Sequence, residues 1–450
     1  MPLDEEKTMI RKSLPRHAAL ASIAVAALGM SLAGCGVSGS TSGSANGTTT
    51  VKMIMEPGPE ADSMSKLVNS FNSGQGSKDK IHVEIDQLSR TDTFAKEAAL
   101  MSTNSSDYDI YRTTSYLIAQ HAPYLEPLTL NGDNYFKVAL DSLQVDGKQY
   151  GIPLDPSVNL VYYRTDLIDQ MLKDAPTFEK ISQEVLGKTL QPKSPDQWNW
   201  DDYIASAAYF TKKYNPNSPT AYGTELQAKN LLYNAMVWDD VLWGSGGNWL
   251  NSSGQPDLTS PAAQNAVNIY RTIYTKGLTS PDSDQAEFPE TEAALGSGNA
   301  AFAIQWNAGY DQLNDPSKSP KTAGKIGIAP VPGNKSHTHV LSLGINKDSK
   351  HKAQAEEFIK YLDDEATMAA YVGDGGIASM PKALASKSDP NTAALNKVLS
   401  DGSFSEPALP KAFDIYTALA NDLSGAWVGQ GDVTSALQKA NADVAKLAGK

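Results

Sequence analysis

Short apolar segments alternate with amphipathic ones in the first quarter of the chain. Residues 51–55, 81–85 and 108–111 have the apolar or alternating pattern of β-strands. Between them, residues 64–71 place apolar side chains at helical spacing, and residues 94–101 have the pattern of a second helix. Strands that alternate with helices predict βαβ units, in which helices cover both faces of a mainly parallel sheet. The expected fold class is therefore α/β.

The rest of the chain is richer in helical segments, and a second lobe is expected to begin near residue 159. Residues 326–332 are predicted to form a strand that returns towards the first lobe, and residues 172–196 are interpreted as an inserted surface segment. Helices are predicted over residues 200–214, 231–243, 261–276, 351–371 (one long amphipathic helix) and 409–447 (closing helices).

An apolar stretch over residues 18–33 follows three basic residues and ends at Leu-Ala-Gly-Cys35, the only cysteine of the chain. A basic start, an apolar run of this length and small residues before the cut are typical of an export signal. The last four residues resemble the bacterial lipobox, in which the cysteine is acylated and becomes the first residue of the mature protein. We predict a signal peptide over residues 1–34, lipid attachment at Cys35 and a flexible linker over residues 35–50.

Charge and length narrow the classes of partner. The formal net charge of −13 argues against nucleic acid and against electrostatic adhesion to anionic lipid. The residues after the signal are numerous enough to bury the cores of two lobes. With a single cysteine, no intramolecular disulfide is expected. The expected location is the extracellular face of the cytoplasmic membrane of a Gram-positive cell, with attachment by lipid.

Catalytic and metal-binding motifs are not found. Gly187-Lys188-Thr189 lacks the glycine that a phosphate-binding loop requires at position 182, which is a serine. Neither Gly-x-Ser-x-Gly nor His-Glu-x-x-His occurs. His337 and His339 are interpreted as solvated loop residues without acidic partners. We therefore predict no catalytic residue, no metal site and no cofactor.

All seven tryptophans lie between residues 198 and 427. A flat indole offers apolar area that matches the C–H face of a sugar ring, and Asp, Glu and Asn side chains can bind its hydroxyls. The combination favours a neutral oligosaccharide as ligand. Packing in a core is the competing interpretation for most of these tryptophans.

Several short motifs point to one family when they are taken together and in order. The most specific block is Asp146-Gly-Lys-Gln-Tyr-Gly-Ile-Pro153 followed by Val161-Tyr-Tyr-Arg-Thr-Asp-Leu167. These segments resemble the extracellular solute-binding proteins of ABC importers, in particular the sugar-binding group that includes maltose-binding protein. Further motifs of this resemblance cover residues 108–110, 125–128, 200–203, 242–247, 295–306 and 373–381.

The resemblance implies two α/β lobes with the ligand between them and closure by a hinge motion. The first lobe would comprise residues 51–157 and about 331–371, and the second residues 158–330 and about 372–450. Arg164 replaces the asparagine that the family usually has at that position, so one rim of the cleft is expected to differ.

The resemblance also implies where ligand-binding residues lie, at the loop ends of strands. Trp306 would be the stacking platform, and Glu56 and Asp155 would accept hydrogen bonds from hydroxyls. Helix packing is an equal alternative for Trp238, and Asp109 is interpreted as structural. The expected ligand-binding residues are Glu56, Thr113, Asp155, Ser157, Trp238, Trp306, Gly375 and Gly376.

The function that follows from the resemblance is that of a lipid-anchored, monomeric binding protein without enzymatic activity. It would capture a carbohydrate, in particular an oligosaccharide, and deliver it to the permease subunits of an ABC transporter. One alternative is the same fold with another small solute, such as a polyamine, an amino-acid derivative or an organophosphate. Another is a surface glycosidase.

Overall fold

A computed structural model describes residues 47–450. The predicted signal peptide, Cys35 and most of the predicted linker lie outside this range. The end of the linker prediction is wrong, because Thr49 and Thr50 already belong to the first strand. Nowhere in residues 47–450 is there a helix with the length and apolar character that crossing a membrane would need.

The described residues contain eleven strands. They are β1 (Thr49–Met55), β2 (Ile81–Gln87), β3 (Ile110–Thr114), β4 (Gln144–Val145), β5 (Lys148–Gln149), β6 (Ile152–Arg164), β7 (Tyr222–Glu225), β8 (Ala300–Trp306), β9 (Ile326–Ala329), β10 (Ser336–Ile345) and β11 (Ser403–Phe404).

Helices fill most of the intervals between the strands. The α-helices are α1 (Pro59–Ser73), α2 (Gln75–Asp79), α3 (Arg90–Ser102), α4 (Ser115–His121), α5 (Lys137–Asp141), α6 (Thr165–Met171), α7 (Ala175–Leu186), α8 (Trp200–Tyr209), α9 (Leu232–Gly244), α10 (Pro261–Thr275), α11 (Phe288–Gly296), α12 (Tyr310–Asn314), α13 (Lys352–Leu362), α14 (Glu365–Gly373), α15 (Pro381–Leu384), α16 (Pro390–Asp401), α17 (Ala412–Trp427) and α18 (Val433–Leu447). Short 3-10 helices cover Ala122–Tyr124, Gly132–Asn134, Pro195–Gln197, Pro281–Gln285 and Asn307–Gly309.

The strands join in the order β2-β1-β3-β10-β6-β8-β7, with β11 beside β10 and β9 beside β6. Pairing is parallel at the two ends of this order, in β2-β1-β3 and in β8-β7. The long strands β10 and β6 pair antiparallel with each other and with their outer neighbours β3 and β8. The prediction of a two-lobed α/β fold is confirmed.

Strand β6 connects the two lobes. Its first part, up to Val158, pairs with β10 and thereby joins the sheet of the first lobe. Its second part, from Asn159 to Arg164, pairs with β8 and β9 in the second lobe. Strand β10 returns beside it from the other direction, so the polar residues of both strands lie where the lobes meet.

Three apolar clusters hold the layers together. One lies under β1, where Met64, Leu67 and Phe71 of α1 pack with Phe358 of α13. A second fills the helical lobe around Trp238 of α9 and includes residues of α8, α10 and α17. The third combines residues of β1, β3 and β6 with those of α11 and α16, so apolar packing continues across the region where the lobes meet.

Three element predictions are corrected by the structure. The strand that returns to the first lobe is β10, because Ile326–Ala329 pairs with β6 in the second lobe. The predicted helix over residues 351–371 is two helices, since Asp364 caps the second one by accepting a hydrogen bond from the Thr367 N–H. Residues 172–196 are not only surface, because Phe178 and Ile181 of α7 are buried in the second-lobe cluster.

The lobe boundary near residue 372 stays a prediction. Ala378, Met380 and Ala383 follow this boundary in sequence, yet they pack in the cluster under β1. The Ser379 N–H also donates to the Leu154 carbonyl, 2.8 Å away, at the start of β6. The segment after α14 is therefore tied to the first lobe for at least ten residues beyond the expected boundary.

Candidate functional site

A polar cavity lies between four neighbouring strands and the first turns of two helices. The strands contribute Met55 and Glu56 at the end of β1, Arg112 in β3, and pairs of residues in β6 and β10. The residues that line the cavity are Met55, Glu56, Glu60, Arg90, Arg112, Asp155, Ser157, His339 and Leu341. The cavity measures about 40 Å³, which is room for a few water molecules. A sugar ring enters only if the surrounding side chains or lobes move apart.

Two arginines share one carboxylate at this cavity. Glu56 Oε1 accepts from Arg112 Nη2 at 2.9 Å, and Arg90 Nη2 lies 3.3 Å from the same oxygen. Arg90 also donates through Nη1 to the Tyr233 hydroxyl of α9, 3.2 Å away. Since α3 and β3 belong to the first lobe and α9 to the second, Arg90 connects the lobes beside the cavity.

Arg112 is buried with part of its guanidinium unpaired. Its side chain is 4% exposed, and within residues 47–450 neither Nε nor Nη1 has a hydrogen-bond partner. Glu56 Oε2 is likewise unpaired in the part of the chain that the structure describes. A buried polar group without a partner costs about 1–3 kcal/mol, and more when it is charged. These atoms therefore mark a place where a ligand atom can supply the missing bonds.

Asp155 links the cavity to the loop after α14. Its Oδ2 accepts from the Ile377 N–H at 2.9 Å and from the Tyr371 hydroxyl at 3.1 Å. Burial raises the pKa of Asp155 well above its usual value, and the charge of Glu60 adds to the rise. The two hydrogen bonds lower the pKa but do not cancel the effect of burial.

A second cavity adjoins the first, since Glu60 and Asp155 line both. Its wall includes the Gly375–Gly376 loop and Asn307, which follows β8. The Asn307 side chain accepts from the Val158 N–H at 2.9 Å and donates to the Pro156 carbonyl at 3.2 Å. Asn307 thereby holds β6 in place between the two cavities.

Aromatic rings continue from the first cavity into the second lobe. The His339 ring lies edge-to-face with Trp306, with centroids 5.1 Å apart, and with Tyr116 at 5.6 Å. Phe413 of α17 follows at 6.1 Å from Tyr116 and 6.2 Å from Phe94. Of these rings, only His339 lines the cavity itself.

The structure brings together several of the predicted site residues. Glu56, Asp155 and Ser157 line the first cavity, and Gly375 and Gly376 line the adjoining one. Trp306 does not line the first cavity but contacts His339, which does. Its assignment as a stacking platform stays a prediction.

Thr113 and Trp238 lie outside both cavities. Thr113 is fully buried within β3, where its hydroxyl is 3.1 Å from His121 Nδ1. Trp238 is fully buried in α9, and its ring packs against Trp427 with centroids 6.1 Å apart. Neither side chain borders either cavity in this structure. Their assignment to the ligand site is therefore not supported here, and the helix-packing interpretation of Trp238 agrees with its position.

The interpretation of His337 and His339 as solvated loop residues is wrong. Both lie in β10, and His337 is fully buried. Its Nε2 is 3.0 Å from Glu406 Oε2 and 2.8 Å from the Tyr416 hydroxyl, so an acidic partner is present. Burial lowers the pKa of His339 well below its usual value, with a further effect of the charges of His337 and the two cavity arginines.

Sequence reasoning missed Arg90, Arg112 and His339. The rarity of arginine was a signal in the sequence, because residues 47–450 contain only four. Two of these four line the first cavity. Asp109, which was interpreted as structural, accepts from the Lys52 N–H at 2.9 Å and from the Ser349 hydroxyl at 2.6 Å.

Across the described residues, His, Cys, Asp and Glu side chains do not gather in groups that could hold a metal ion.

Comparisons with known proteins agree with this architecture. A family model described as bacterial extracellular solute-binding protein matches residues 44–398. A probable ABC transporter-binding protein of Deinococcus radiodurans is 24% identical over 275 residues, which cover 58% of this chain and 60% of that protein.

Two solved structures share the fold at low sequence identity. The sugar-binding protein MalE of Xanthomonas citri has a TM-score of 0.72 and 19% identity, over 89% of this chain and 98% of that one. Maltose-bound MalE3 of T. maritima has a TM-score of 0.70 and 20% identity, over 88% of this chain and 99% of that one. Both likenesses place this chain among two-lobed solute-binding folds.

Proposed function

Because the chain belongs to the bacterial extracellular solute-binding proteins, we propose that it captures a carbohydrate in the cavity between its lobes and delivers it to the permease of an ABC transporter. The observation that carries this proposal is the set of buried, unpaired polar atoms of Arg112 and Glu56 at the cavity. Donors and acceptors held in place without partners are what a ligand with hydroxyl groups requires.

The aromatic rings beside the cavity support a sugar rather than an inorganic solute. Trp306 and Tyr116 pack edge-to-face on His339, which lines the cavity, and Phe413 packs on Tyr116. Ring C–H groups of a sugar can pack on such surfaces while its hydroxyls face charged groups. Maltose in the MalE3 structure of T. maritima is in keeping with this ligand class. Two adjoining cavities that share Asp155 would suit a ligand of more than one ring.

Calorimetric titration of residues 47–450 with neutral and acidic mono- and oligosaccharides tests the proposal. We expect at least one sugar to bind, and Trp306→Ala to weaken its binding about tenfold or more. Trp243→Ala is the matched control, because Trp243 is half-buried, stacks on Phe404 at 4.5 Å and does not line the cavities. Unchanged affinity in Trp306→Ala would remove Trp306 from the site, and a panel without any binder would contradict a carbohydrate ligand.

We further propose that the protein acts as a monomer held at the extracellular face of the cytoplasmic membrane through a lipid on Cys35. The position of this single cysteine after an apolar stretch and small residues supports the assignment. In Cys35→Ala, the protein should appear in the medium in a ligand-competent form, whereas Ser38→Ala should leave it with the cells. Metabolic labelling with a fatty-acid analogue checks the lipid directly, and label on the Cys35→Ala protein would contradict the assignment.

A further inference from the structure

Arg112 is more completely buried than arginines usually are, and its bonds are not complete. One carboxylate oxygen, Glu56 Oε1, pairs with Nη2 at 2.9 Å, and the Phe94 ring lies 5.1 Å from the guanidinium carbon. Nε and Nη1 remain without partners among the described residues. Arginine is rarely buried unless it is paired, because its charge loses hydration. These unpaired N–H groups therefore call for a hydrogen-bond acceptor, which a ligand can supply.

Arg112 and Arg90 share a single carboxylate partner. Among residues 47–450, Glu56 is the only acidic side chain that forms an ion pair with either guanidinium. Of the other acidic groups, Glu97 accepts from the Arg112 N–H at 2.7 Å, and burial raises the pKa of its carboxyl well above the usual value. Burial acts in the same direction on the pKa of Asp155.

Two further titratable groups face the same cavity. Burial and nearby positive charges lower the pKa of His339 well below its usual value, so its neutral form is favoured. Glu60 lies in the first turn of α1 and lines both cavities beside Asp155. The ion pairs of Arg112 and Arg90 thus depend on one carboxylate, that of Glu56.

The choice of arginine is informative in this chain. Residues 47–450 contain four arginines among many lysines, and the other two pair with Asp166 and with the Gly431 carbonyl. A planar guanidinium binds carboxylate and phosphate oxygens through several directed N–H groups, which an ammonium group does not do. A neutral hydroxyl can accept from one N–H group, whereas a carboxylate or a phosphate can accept from two N–H groups of Arg112 at once.

We propose that the ligand carries an anionic group, a carboxylate or a phosphate, which binds Arg112 in this cavity. The inference rests on the proposed carbohydrate function for the remainder of the ligand, and the substrate class is then an acidic sugar. Arg90 holds Glu56 from the rim of the cavity and also donates to the Tyr233 hydroxyl across the cavity.

Calorimetry with matched pairs of ligands tests this inference on residues 47–450. The panel comprises glucose with glucuronate and glucose 6-phosphate, galactose with galacturonate, and digalacturonate with maltose. Inorganic phosphate and succinate are included as anions without a sugar ring. We expect one acidic sugar to bind at least tenfold more tightly than its neutral counterpart, with an affinity that falls as salt concentration rises.

Two variants test whether the planar guanidinium of Arg112, rather than its positive charge alone, is required. Arg112→Lys keeps the charge but loses the planar fork, and it should reduce the preference for the acidic sugar about tenfold or more. Arg271→Lys is the control, because Arg271 donates to the Gly431 carbonyl away from the cavity. The selectivity of the unaltered protein is informative even if Arg112→Lys does not fold.

Each outcome of this panel has a definite meaning. Equal or tighter binding of the neutral sugars would overturn the anionic ligand while keeping the carbohydrate function. Binding of phosphate or succinate without any sugar would remove the carbohydrate function and keep the anion site. The comparison of glucuronate with glucose 6-phosphate distinguishes the two sources of negative charge. If no anion in the panel binds, the inference is wrong.

Discussion

Glu292 illustrates how a single buried carboxyl can impose a pH dependence on the whole fold. It is 1% exposed in α11, and its Oε2 accepts from Gln305 Nε2 at 3.1 Å. Burial raises its pKa from 4.5 to about 7, against the opposing effect of that hydrogen bond. Between these two pH values the folded state keeps a proton that the unfolded state has lost. The free energy of unfolding therefore falls as pH rises through this window and levels off above it.

We predict that Glu292→Gln flattens this pH dependence. The contribution of Glu292 amounts to roughly 1 to 3 kcal/mol, present below the unfolded pKa and lost as pH approaches 7. Urea unfolding at pH 4.5, 5.5, 6.5 and 7.5 checks it, with Glu184→Gln on the exposed face of α7 as control. Part of the change in unfolding free energy with pH should remain in Glu292→Gln, because burial also raises the pKa of Glu225 to about 7. An unchanged slope in Glu292→Gln would contradict the assignment.

Trp238 gives a second prediction at the scale of one residue. Its indole is fully buried between α9 and α17 beside Trp427. Trp238→Ala should lower the free energy of unfolding by about 3–5 kcal/mol because it leaves a cavity in the core. Ligand affinity of the folded protein, measured below its unfolding transition, should stay within about twofold. A large loss of affinity without a loss of stability would return Trp238 to the binding site.

Part of the candidate site could be predicted because the family resemblance places ligand-binding residues at the loop ends of strands. Glu56, Asp155 and Ser157 were expected on this basis, and all three line the first cavity. Arg112 and His339 could not be placed in this way. Their proximity depends on β10 pairing between β3 and β6, which is a long-range contact that apolar periodicity does not report.

At the scale of elements, the helix errors arise because apolar periodicity does not report where a helix ends. Residues 351–371 keep one apolar face through the helix break, so their pattern did not reveal that Asp364 begins a new helix. The Pro and Lys content of residues 172–196 favoured a surface segment, although Phe178, Ile181 and Val185 have the apolar spacing of a helix. Composition alone therefore did not predict the helix within this segment.

The end of α14 offers a prediction about an element. Gly376 lies so close to the Tyr371 ring that a Cβ atom would be 2.2 Å from Tyr371 Cε1. Gly376→Ala must displace this ring, which should cost about 1–3 kcal/mol of stability. Because the Tyr371 hydroxyl donates to Asp155, ligand affinity should fall as well.

Gly373 is the matched control for this substitution. It is the last residue of α14, and no atom lies within 4 Å of the Cβ that an alanine would add. Gly373→Ala should therefore be neutral or stabilise the helix by up to about 1 kcal/mol. Thermal unfolding and calorimetry of the two variants provide the comparison. Equal effects of both substitutions would show that the contact with Tyr371 is not the cause.

At the scale of the whole molecule, the lobes are joined in the sheet and also meet across the cavity. The α/β alternation and the ordered motifs were sufficient to predict the two-lobed fold, because each lobe is built largely from local units. The crossing through β6 and β10 was predicted only approximately, since the returning strand was expected at residues 326–332. The apolar pattern does not decide which strand enters the first lobe, because that depends on strand pairing.

The contacts across the cavity indicate that this structure is a closed form. Arg90 Nη1 donates to the Tyr233 hydroxyl at 3.2 Å, and the Phe94 and Phe413 rings lie 6.2 Å apart. A ligand larger than a few water molecules enters only when these contacts open. We therefore predict that the radius of gyration from small-angle X-ray scattering is larger without ligand and decreases when glucuronate or the tightest binder of the sugar panel is added.

Tyr233→Phe tests the contribution of the contact between Arg90 and Tyr233 to closure. The variant keeps the ring but loses the hydroxyl, whose hydrogen bond contributes about 0.5–1.5 kcal/mol. Since only the closed form makes this bond, ligand affinity should fall about two- to tenfold while the unliganded protein keeps its radius of gyration. Tyr214→Phe is the control, because the Tyr214 hydroxyl bonds to the Lys276 carbonyl within the second lobe. If ligand leaves the radius of gyration unchanged in the unaltered protein, closure around the ligand is excluded as the mechanism of capture.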